Sequence, residues 1–154
     1  MSISVNDKVE SFTLLSSNGE RVSLHDYLGK KVVLYFYPKD MTPGCTTESC
    51  SFRDFHGDLI ANDVTVLGIS PDDLSSHQKF VKKYELPFLL LSDTEQVVSQ
   101  YFDVWKEKSM YGKKYMGVER STFLIGADGT LLKEWRKVKV DGHVDDVLSA
   151  VKSL

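Results

Sequence analysis

The feature that most constrains the fold is an unbroken run of six apolar residues, Val32 to Tyr37, five of which are β-branched or aromatic. A run of this kind is typical of a strand that is buried on both faces of a sheet. Similar segments repeat the pattern at Val64 to Ile69 and at Phe88 to Leu91. The sequence therefore predicts parallel strands at the centre of an α/β sheet.

Helical segments are predicted between these runs and near the C-terminus. In the last segment, apolar side chains recur at helical spacing at Val144, Val147, Leu148 and Val151. The alternation of strands and helices gives the chain a βαβ rhythm. The predicted helices are Pro43 to about Ile60, Leu74 to Tyr84, Glu95 to Phe102 and His143 to Val151.

Two turn sequences predict β-hairpins. Asp128-Gly129, a strong hairpin signal, lies between strand-like segments at 121–125 and 131–135. Ser17-Asn18-Gly19 predicts a small hairpin ahead of the main sheet. The expected fold is a central mixed β-sheet flanked by helices, with an N-terminal β-hairpin extension. No linker-like stretch divides the chain, so we expect one domain, residues 1–154.

Charge gives little support for a nucleic-acid partner. The chain has 19 Lys and Arg against 22 Asp and Glu, a net charge of −3, whereas nucleic-acid binders usually present a basic face. Four lysines do cluster, but acidic residues interrupt them, and the segment is predicted to be a solvated loop. These lysines are Lys106, Lys108, Lys113 and Lys114.

The apolar segments also argue against a membrane or a secreted protein. The longest apolar run has six residues, far fewer than a bilayer span requires. The N-terminal residues lack the apolar core of a signal peptide. We therefore expect a cytoplasmic protein, in which two cysteines are redox-active or metal-binding more often than they form a structural disulfide.

Cys45 lies at a predicted helix start. Thr42 is a favourable N-cap and Pro43 suits the first helical position, which places Cys45 in the first turn. Unpaired backbone N–H groups and the helix dipole there favour an anion, so a thiolate would be stabilised. From its position alone, Cys45 could equally be a small buried hydrophobic residue.

The residues around Cys45 resemble a known family. Pro38, Thr42 and Cys45 reproduce the Pro-x-x-x-Thr-x-x-Cys motif of peroxiredoxins. The longer run from Thr42 to Asp54 resembles the branch called bacterioferritin comigratory protein, or peroxiredoxin Q, and the similarity extends over nearly the whole chain. The resemblance implies a thioredoxin-like fold and a peroxidase that reduces hydrogen peroxide and organic hydroperoxides without a cofactor.

The resemblance also implies residue roles. Cys45 is the peroxidatic cysteine, which attacks the peroxide and becomes a sulfenic acid. Cys50 resolves it as an intramolecular disulfide, which thioredoxin or a similar dithiol then reduces. Thr42 is expected beside the thiolate and the peroxide, Pro38 shields the pocket from water, and Arg120 stabilises the thiolate and holds a peroxide oxygen. An intramolecular disulfide gives no chemical reason for a dimer, so a monomer is expected.

Each supporting residue has a simpler interpretation as well. Thr42 could be only an N-cap, Pro38 only the end of a strand, and Arg120 a surface ion-pair partner. Glu48 shares nearly one helix face with Cys45, where a bare carboxylate would oppose the thiolate. We expect Glu48 at the substrate pocket, paired with Arg120 or a backbone donor; the alternative is a solvated residue on the helix surface.

Three other functions are alternatives to a peroxidase. A zinc site needs about four ligands at close spacing, whereas the histidines are scattered, so we expect no metal and only surface or packing roles for them. A thioredoxin-type disulfide reductase has Cys-x-x-Cys, but four residues separate Cys45 from Cys50. A non-enzymatic redox switch would use the same cysteines, and only turnover separates it from a peroxidase. The histidines are His25, His56, His77 and His143.

Overall fold

The computed structural model describes residues 3–154, which form nine strands, five α-helices and one short 3-10 helix (Leu24–Tyr27). In chain order the strands are β1 (Thr13–Ser16), β2 (Arg21–Ser23), β3 (Lys31–Phe36), β4 (Val64–Ser70), β5 (Leu89–Ser92), β6 (Trp105–Met110), β7 (Lys113–Val118), β8 (Ser121–Ile125) and β9 (Leu131–Trp135). The helices are α1 (Pro43–Asp54), α2 (His56–Ala61), α3 (Leu74–Tyr84), α4 (Val97–Tyr101) and α5 (His143–Lys152).

Seven strands form one mixed sheet in the order β2-β1-β5-β4-β3-β8-β9. The three central strands, β3, β4 and β5, are parallel, and the outer strands are antiparallel to their neighbours. The predicted N-terminal hairpin is confirmed as β1 and β2, and it extends the sheet by pairing with β5. The predicted mixed α/β architecture is therefore confirmed.

Strand β3 lies at the centre because it is apolar on both faces. Leu34 and Phe36 point into one core, which also receives α4. Val33 and Tyr35 point into the other, which receives α1, α2, α3 and α5. Tyr35 fixes α1 to this face, because its ring stacks on Phe52 at 4.6 Å between ring centroids and its hydroxyl lies 2.9 Å from the Ser49 hydroxyl. Burying an aromatic side chain of this size contributes about 1.5–3 kcal/mol.

The helix predicted from Pro43 to about Ile60 is divided in two at Phe55. The division is a bend, since the N–H of Phe55 still donates to Ser51 and the N–H of Leu59 donates to Phe55, both at 3.1 Å. Phe55 itself has φ −95° and ψ 5°, outside the helical range. Neither Pro nor Gly occupies this position, so the sequence lacks the usual signal for a break.

The prediction of a solvated loop at the lysine cluster is wrong. These residues form a separate antiparallel ribbon of β6 and β7, which pair from Trp105 opposite Val118 to Met110 opposite Lys113. Tyr111 and Gly112, with φ of 52° and 78°, form the two-residue turn. Positive φ at both central residues matches the twist of a hairpin, so this turn explains the ribbon.

None of the helices within the described residues is both long enough and apolar enough to span a bilayer.

Candidate active site

The start of α1 places Cys45 as the sequence predicts. Thr42 occupies the N-cap position, Pro43 is the first helical residue, and Cys45 lies in the first turn with 1% of its surface exposed. The capping interaction of Thr42 is not made, however. The Thr42 hydroxyl donates to the carbonyl of Lys39 at 2.7 Å instead of accepting from a helix N–H. Because its single proton is used there, its oxygen is left as an acceptor.

Arg120 comes from the other half of the chain and reaches Cys45 directly. It precedes β8, whose first residue, Ser121, pairs with Phe36 at the end of β3. This pairing brings Arg120 to the loop in front of α1. Its Nη2 donates to the Cys45 Sγ at 3.3 Å, and its side chain is 16% exposed. The interpretation of Arg120 as a surface ion-pair partner is therefore wrong.

Gly44 is a residue of the site that sequence reasoning missed. A Cβ atom at this position would lie 3.2 Å from Nη2 of Arg120, closer than ordinary van der Waals contact. A larger residue would therefore displace the guanidinium from Cys45. The sequence does show a glycine directly before Cys45. The reason for this glycine is its close approach to Arg120, which lies far away along the chain, so the sequence alone could not reveal it.

Glu48 pairs with the same guanidinium. Its Oε1 accepts a hydrogen bond from Nη1 of Arg120 at 2.7 Å, and its side chain is fully buried. The pairing expectation is confirmed, and the solvated-surface alternative is wrong. Oε2 of Glu48 has no hydrogen-bond partner among residues 3–154. Burial raises the pKa of Glu48 to about 7, although Arg120 opposes the rise.

The charges of the site are coupled through Arg120. Burial alone would lower the pKa of Arg120, but Glu48 and Cys45 outweigh burial and raise it, so this cation is permanent. Lys108 of β6 also interacts electrostatically with Arg120 and Cys45. Burial lowers the pKa of Lys108, Arg120 adds to the effect, and Cys45 and Glu119 oppose it. The ribbon of β6 and β7 thus carries a second cation that interacts electrostatically with Arg120 and Cys45.

The remaining predicted residues lie around this centre. Pro38 is half-buried and follows the β3 strand, four residues before Thr42. Cys50 is half-buried on α1, and both cysteines are free thiols. Cys45 and Cys50 share one continuous helix, so the structure shows the reduced protein with the two thiols on different helical faces.

Within residues 3–154, one group of acidic and histidine side chains is close enough together to resemble a metal site. The atoms of Asp40, Asp72 and His77 that could bind a metal lie within 4.8 Å of one another. Asp40 and His77 are already hydrogen-bonded to each other at 2.7 Å, which accounts for their closeness. His77 and His143 are buried, at 0% and 4% exposure, so both pack in the interior.

Comparison with known protein families gives one match over most of the chain. The model of the AhpC/TSA family matches residues 5–133. Peroxiredoxin Bcp of Bacillus subtilis is 53% identical over 154 residues, which cover all of this chain and 98% of the relative. Peroxiredoxin Bcp of Escherichia coli is 43% identical over 150 residues, covering 97% and 96% of the two chains.

Solved structures show the same similarity. A cysteine-to-serine mutant of PrxQ from Xylella fastidiosa has a TM-score of 0.95 at 39% identity, and the match covers 99% of this chain and 98% of that one. Peroxiredoxin Q from Xanthomonas campestris has a TM-score of 0.88 at 44% identity, covering 92% and 90%. The thioredoxin-like fold class and the predicted resemblance are confirmed.

Proposed function

The chain belongs to the AhpC/TSA family, in the peroxiredoxin branch named Bcp or PrxQ, and from this premise we propose that Cys45 is its peroxidatic cysteine and Cys50 its resolving cysteine. The observation that carries the assignment is the hydrogen bond from Arg120 to the Cys45 Sγ at 3.3 Å, in the first turn of α1. A guanidinium and a helix N-terminus both favour a thiolate. Cys50 lies beyond the first turn, where the helix dipole is weaker.

In the first step, the Cys45 thiolate attacks the terminal oxygen of the hydroperoxide. The S–O bond forms as the O–O bond breaks, Cys45 becomes a sulfenic acid, and the departing alkoxide or hydroxide takes a proton to give an alcohol or water. Arg120 stabilises the thiolate and the charge that develops on the peroxide oxygens. The Thr42 oxygen, whose proton is given to Lys39, accepts the hydrogen bond of the peroxide O–H. Pro38 shields the reacting atoms from water.

In the second step, the Cys50 thiolate attacks the Cys45 sulfur. A disulfide forms and hydroxide leaves, taking a proton to become water. A thioredoxin-type dithiol then restores both thiols by exchange. The proposal assigns the whole cycle to one domain, residues 1–154, acting as a monomer on hydrogen peroxide and organic hydroperoxides.

Replacement of each cysteine tests the assignment. Cys45→Ser should abolish peroxide consumption in the presence of thioredoxin, thioredoxin reductase and NADPH. Cys50→Ser should consume about one equivalent per chain and stop as a sulfenic acid, which mass spectrometry detects after dimedone labelling. Multiple turnovers by Cys45→Ser, together with an inert Cys50→Ser, would reverse the two roles. A wild-type protein that reacts once and never turns over would instead be the non-enzymatic redox switch.

A further inference from the structure

Asp40 is a buried carboxylate whose polar contacts the reaction described above does not use. Its Oδ1 accepts a hydrogen bond from the Tyr37 hydroxyl at 2.5 Å, and its Oδ2 accepts from the Ser76 hydroxyl at 2.8 Å. Nδ1 of His77 lies 2.7 Å from the same Oδ2. The side chains of Asp40 and His77 are 1% and 0% exposed, so water does not replace these contacts.

The two ring nitrogens of His77 have different hydrogen-bond partners. Its Nε2 lies 3.1 Å from the carbonyl oxygen of Leu91, which can only accept, so Nε2 carries a proton. Burial raises the pKa of Tyr37 well above its usual value, so the phenol keeps its proton and donates to Asp40. A carboxylate that receives two hydroxyl donors is suited to the ionised form. Nδ1 of His77, 2.7 Å from Oδ2, completes the set of polar groups that surround this carboxyl group.

Asp40 and His77 together connect several elements at the carboxyl ends of the parallel strands. Tyr37 directly follows β3, His77 lies on α3, and Leu91 lies in β5. The backbone N–H of Asp40 also donates to the carboxylate of Asp72, just after β4, at 2.7 Å. Asp40 is thus attached to the ends of three parallel strands and to one helix.

Asp40 is also the middle residue of the loop from Pro38 to Thr42. Met41 in this loop has φ +66°, a left-handed conformation that is uncommon outside glycine. The Thr42 hydroxyl donates a hydrogen bond to the carbonyl of Lys39, three residues earlier in the same loop. Residues in sparsely populated conformations persist only where their surroundings hold them. Asp40 provides the attachment that this loop needs.

We propose that His77 is a positioning residue for peroxide reduction: through its buried ion pair with Asp40 it fixes the loop 38–42 to the sheet, so that Thr42 keeps its place in front of Cys45. This inference rests on the proposed function, because it takes Thr42 as part of the peroxide site. None of the contacts that hold Asp40 involves α1. Loss of the pair should therefore slow the peroxide step and leave the disulfide-forming step unchanged.

Replacement of Asp40 by asparagine separates the two steps. In a Cys50→Ser background, Asp40→Asn should slow oxidation of Cys45 by about tenfold or more, because small displacements of a catalytic group have effects of that size. With Cys50 present, rapid quenching and mass spectrometry should show disulfide formation within about twofold of the parent rate, since the groups that hold Asp40 lie outside α1.

The matched control is Asp93→Asn. Asp93 is another buried carboxylate with three hydrogen-bond donors, from the backbone of Val98 and from the backbone and hydroxyl of Ser99, at 2.7–3.2 Å. Its hydrogen bonds hold the start of α4, whereas those of Asp40 hold the loop 38–42. Asp93→Asn should lower thermal stability while leaving both steps near the parent rates.

An unchanged peroxide step in folded Asp40→Asn would overturn the proposal, and so would equal slowing of both steps. If Asp40→Asn does not fold, Ser76→Ala removes one of the hydrogen bonds to Asp40 and should give a smaller loss in the peroxide step alone.

Nitrogen-15 NMR of wild-type His77 gives a readout independent of activity: protons on both ring nitrogens support the ion pair, and an unprotonated Nδ1 overturns it. An inert Cys50→Ser parent would count against the assignment of Cys45, and the NMR result would then decide on the pair.

Discussion

At the residue scale, Arg120 is the group on which the site depends most. Its two terminal nitrogens contact two acidic groups, Glu48 through Nη1 and Cys45 through Nη2. A guanidinium can make both contacts at once because its donors lie in a fixed planar fork. Removal of Arg120 therefore affects reactivity and stability together, since it leaves the buried Glu48 without its only ion-pair partner within residues 3–154.

Arg120→Met should slow the single-turnover reaction with peroxide by about 10²-fold, because the donor that stabilises the developing charge is lost. The same variant should lower the fraction of Cys45 present as thiolate at neutral pH, which ultraviolet absorbance of the thiolate measures. It should also lower the free energy of unfolding, but by less than about 3–5 kcal/mol, the cost of breaking a pair that leaves a buried charge behind, because Glu48, with a pKa of about 7, can take up a proton instead.

Two variants serve as controls for Arg120→Met. Arg120→Lys keeps a positive charge but cannot contact both acidic groups in the same fork geometry, so it should recover only part of the rate. Arg136→Met removes an arginine of similar exposure that pairs with Glu134 and bonds to carbonyls at 102 and 103. It should not change the peroxide step. Unaltered thiolate titration and an unaltered rate in Arg120→Met would show that Arg120 is only structural.

The sequence identified the residues whose role follows from a local motif. Cys45 could be placed because Thr42 and Pro43 mark a helix start within three residues. Asp40 and His77 were missed because their roles come from a contact between residues 37 positions apart, which no local pattern encodes. His77 was expected to be a surface or packing residue, and only the structure shows its buried polar contact with Asp40.

At the element scale, α1 cannot stay intact if its two cysteines form a disulfide. Five residues along a helix separate Cα atoms by about 7.5 Å along the axis and about 140° around it, which is roughly 8.6 Å in space. Disulfides rarely join Cα atoms more than about 6.8 Å apart. The reduced protein has a continuous helix from Pro43 to Asp54, so oxidation must open it locally. Terminal turns are the least costly part of a helix to open.

Amide hydrogen exchange in the two redox states tests this opening. Oxidation should lower protection over residues 45–53 and leave Val32 to Phe36 in β3 protected. The decrease should be largest before Phe52, whose ring remains stacked on Tyr35. Protection that is equal in both states, with the Cys45–Cys50 bond confirmed by mass spectrometry, would contradict the prediction. A Cys50→Ser sample treated with peroxide is the control, because it is oxidised but cannot form the bond.

The elements were predicted best where periodicity is strong. The β3 run and the α5 stripe of valines and leucine are long and regular, and both elements are present. The ribbon of β6 and β7 was missed because its side chains are mostly charged or exposed, so no apolar alternation indicates strands. Its one signal is the turn at Tyr111-Gly112, where glycine accepts a positive φ.

At the scale of the whole molecule, sheet order brings the site together. Pro38 and Thr42 follow the central strand β3, and Arg120 precedes β8, which pairs with β3 in antiparallel orientation. Both segments therefore meet at the carboxyl end of β3. The sequence predicted the hairpin of β8 and β9 but not its neighbour in the sheet, because strand pairing depends on how the helices cover the two faces. The proximity of Arg120 to Cys45 could only be inferred from resemblance.

Two buried groups on the same side of the sheet titrate in opposite senses. Burial raises the pKa of Glu48 on α1 to about 7, from an ordinary value of 4.5. Burial lowers the pKa of His143 on α5 to about 4, from 6.5; Arg120 adds to this effect and Asp146 opposes it. In the folded protein Glu48 therefore holds its proton longer than in the unfolded chain, and His143 loses its proton earlier.

Between about pH 4.5 and 6.5 these two effects on stability should cancel. Folding takes up one proton at Glu48 and releases one at His143, so the two contributions to the pH slope, each at most about 1.4 kcal/mol per pH unit, have opposite signs. Glu48→Gln removes the Glu48 contribution, so its free energy of unfolding should fall relative to wild type as pH is lowered from about 7 to 4.5. His143→Gln removes the His143 contribution, so its free energy of unfolding should fall relative to wild type as pH rises from about 4 to 6.5. Urea unfolding of the three proteins across this range measures the slopes, and the remaining titratable groups, which all three share, drop out of the differences. Parallel curves for the three proteins would show that neither buried group changes protonation on folding.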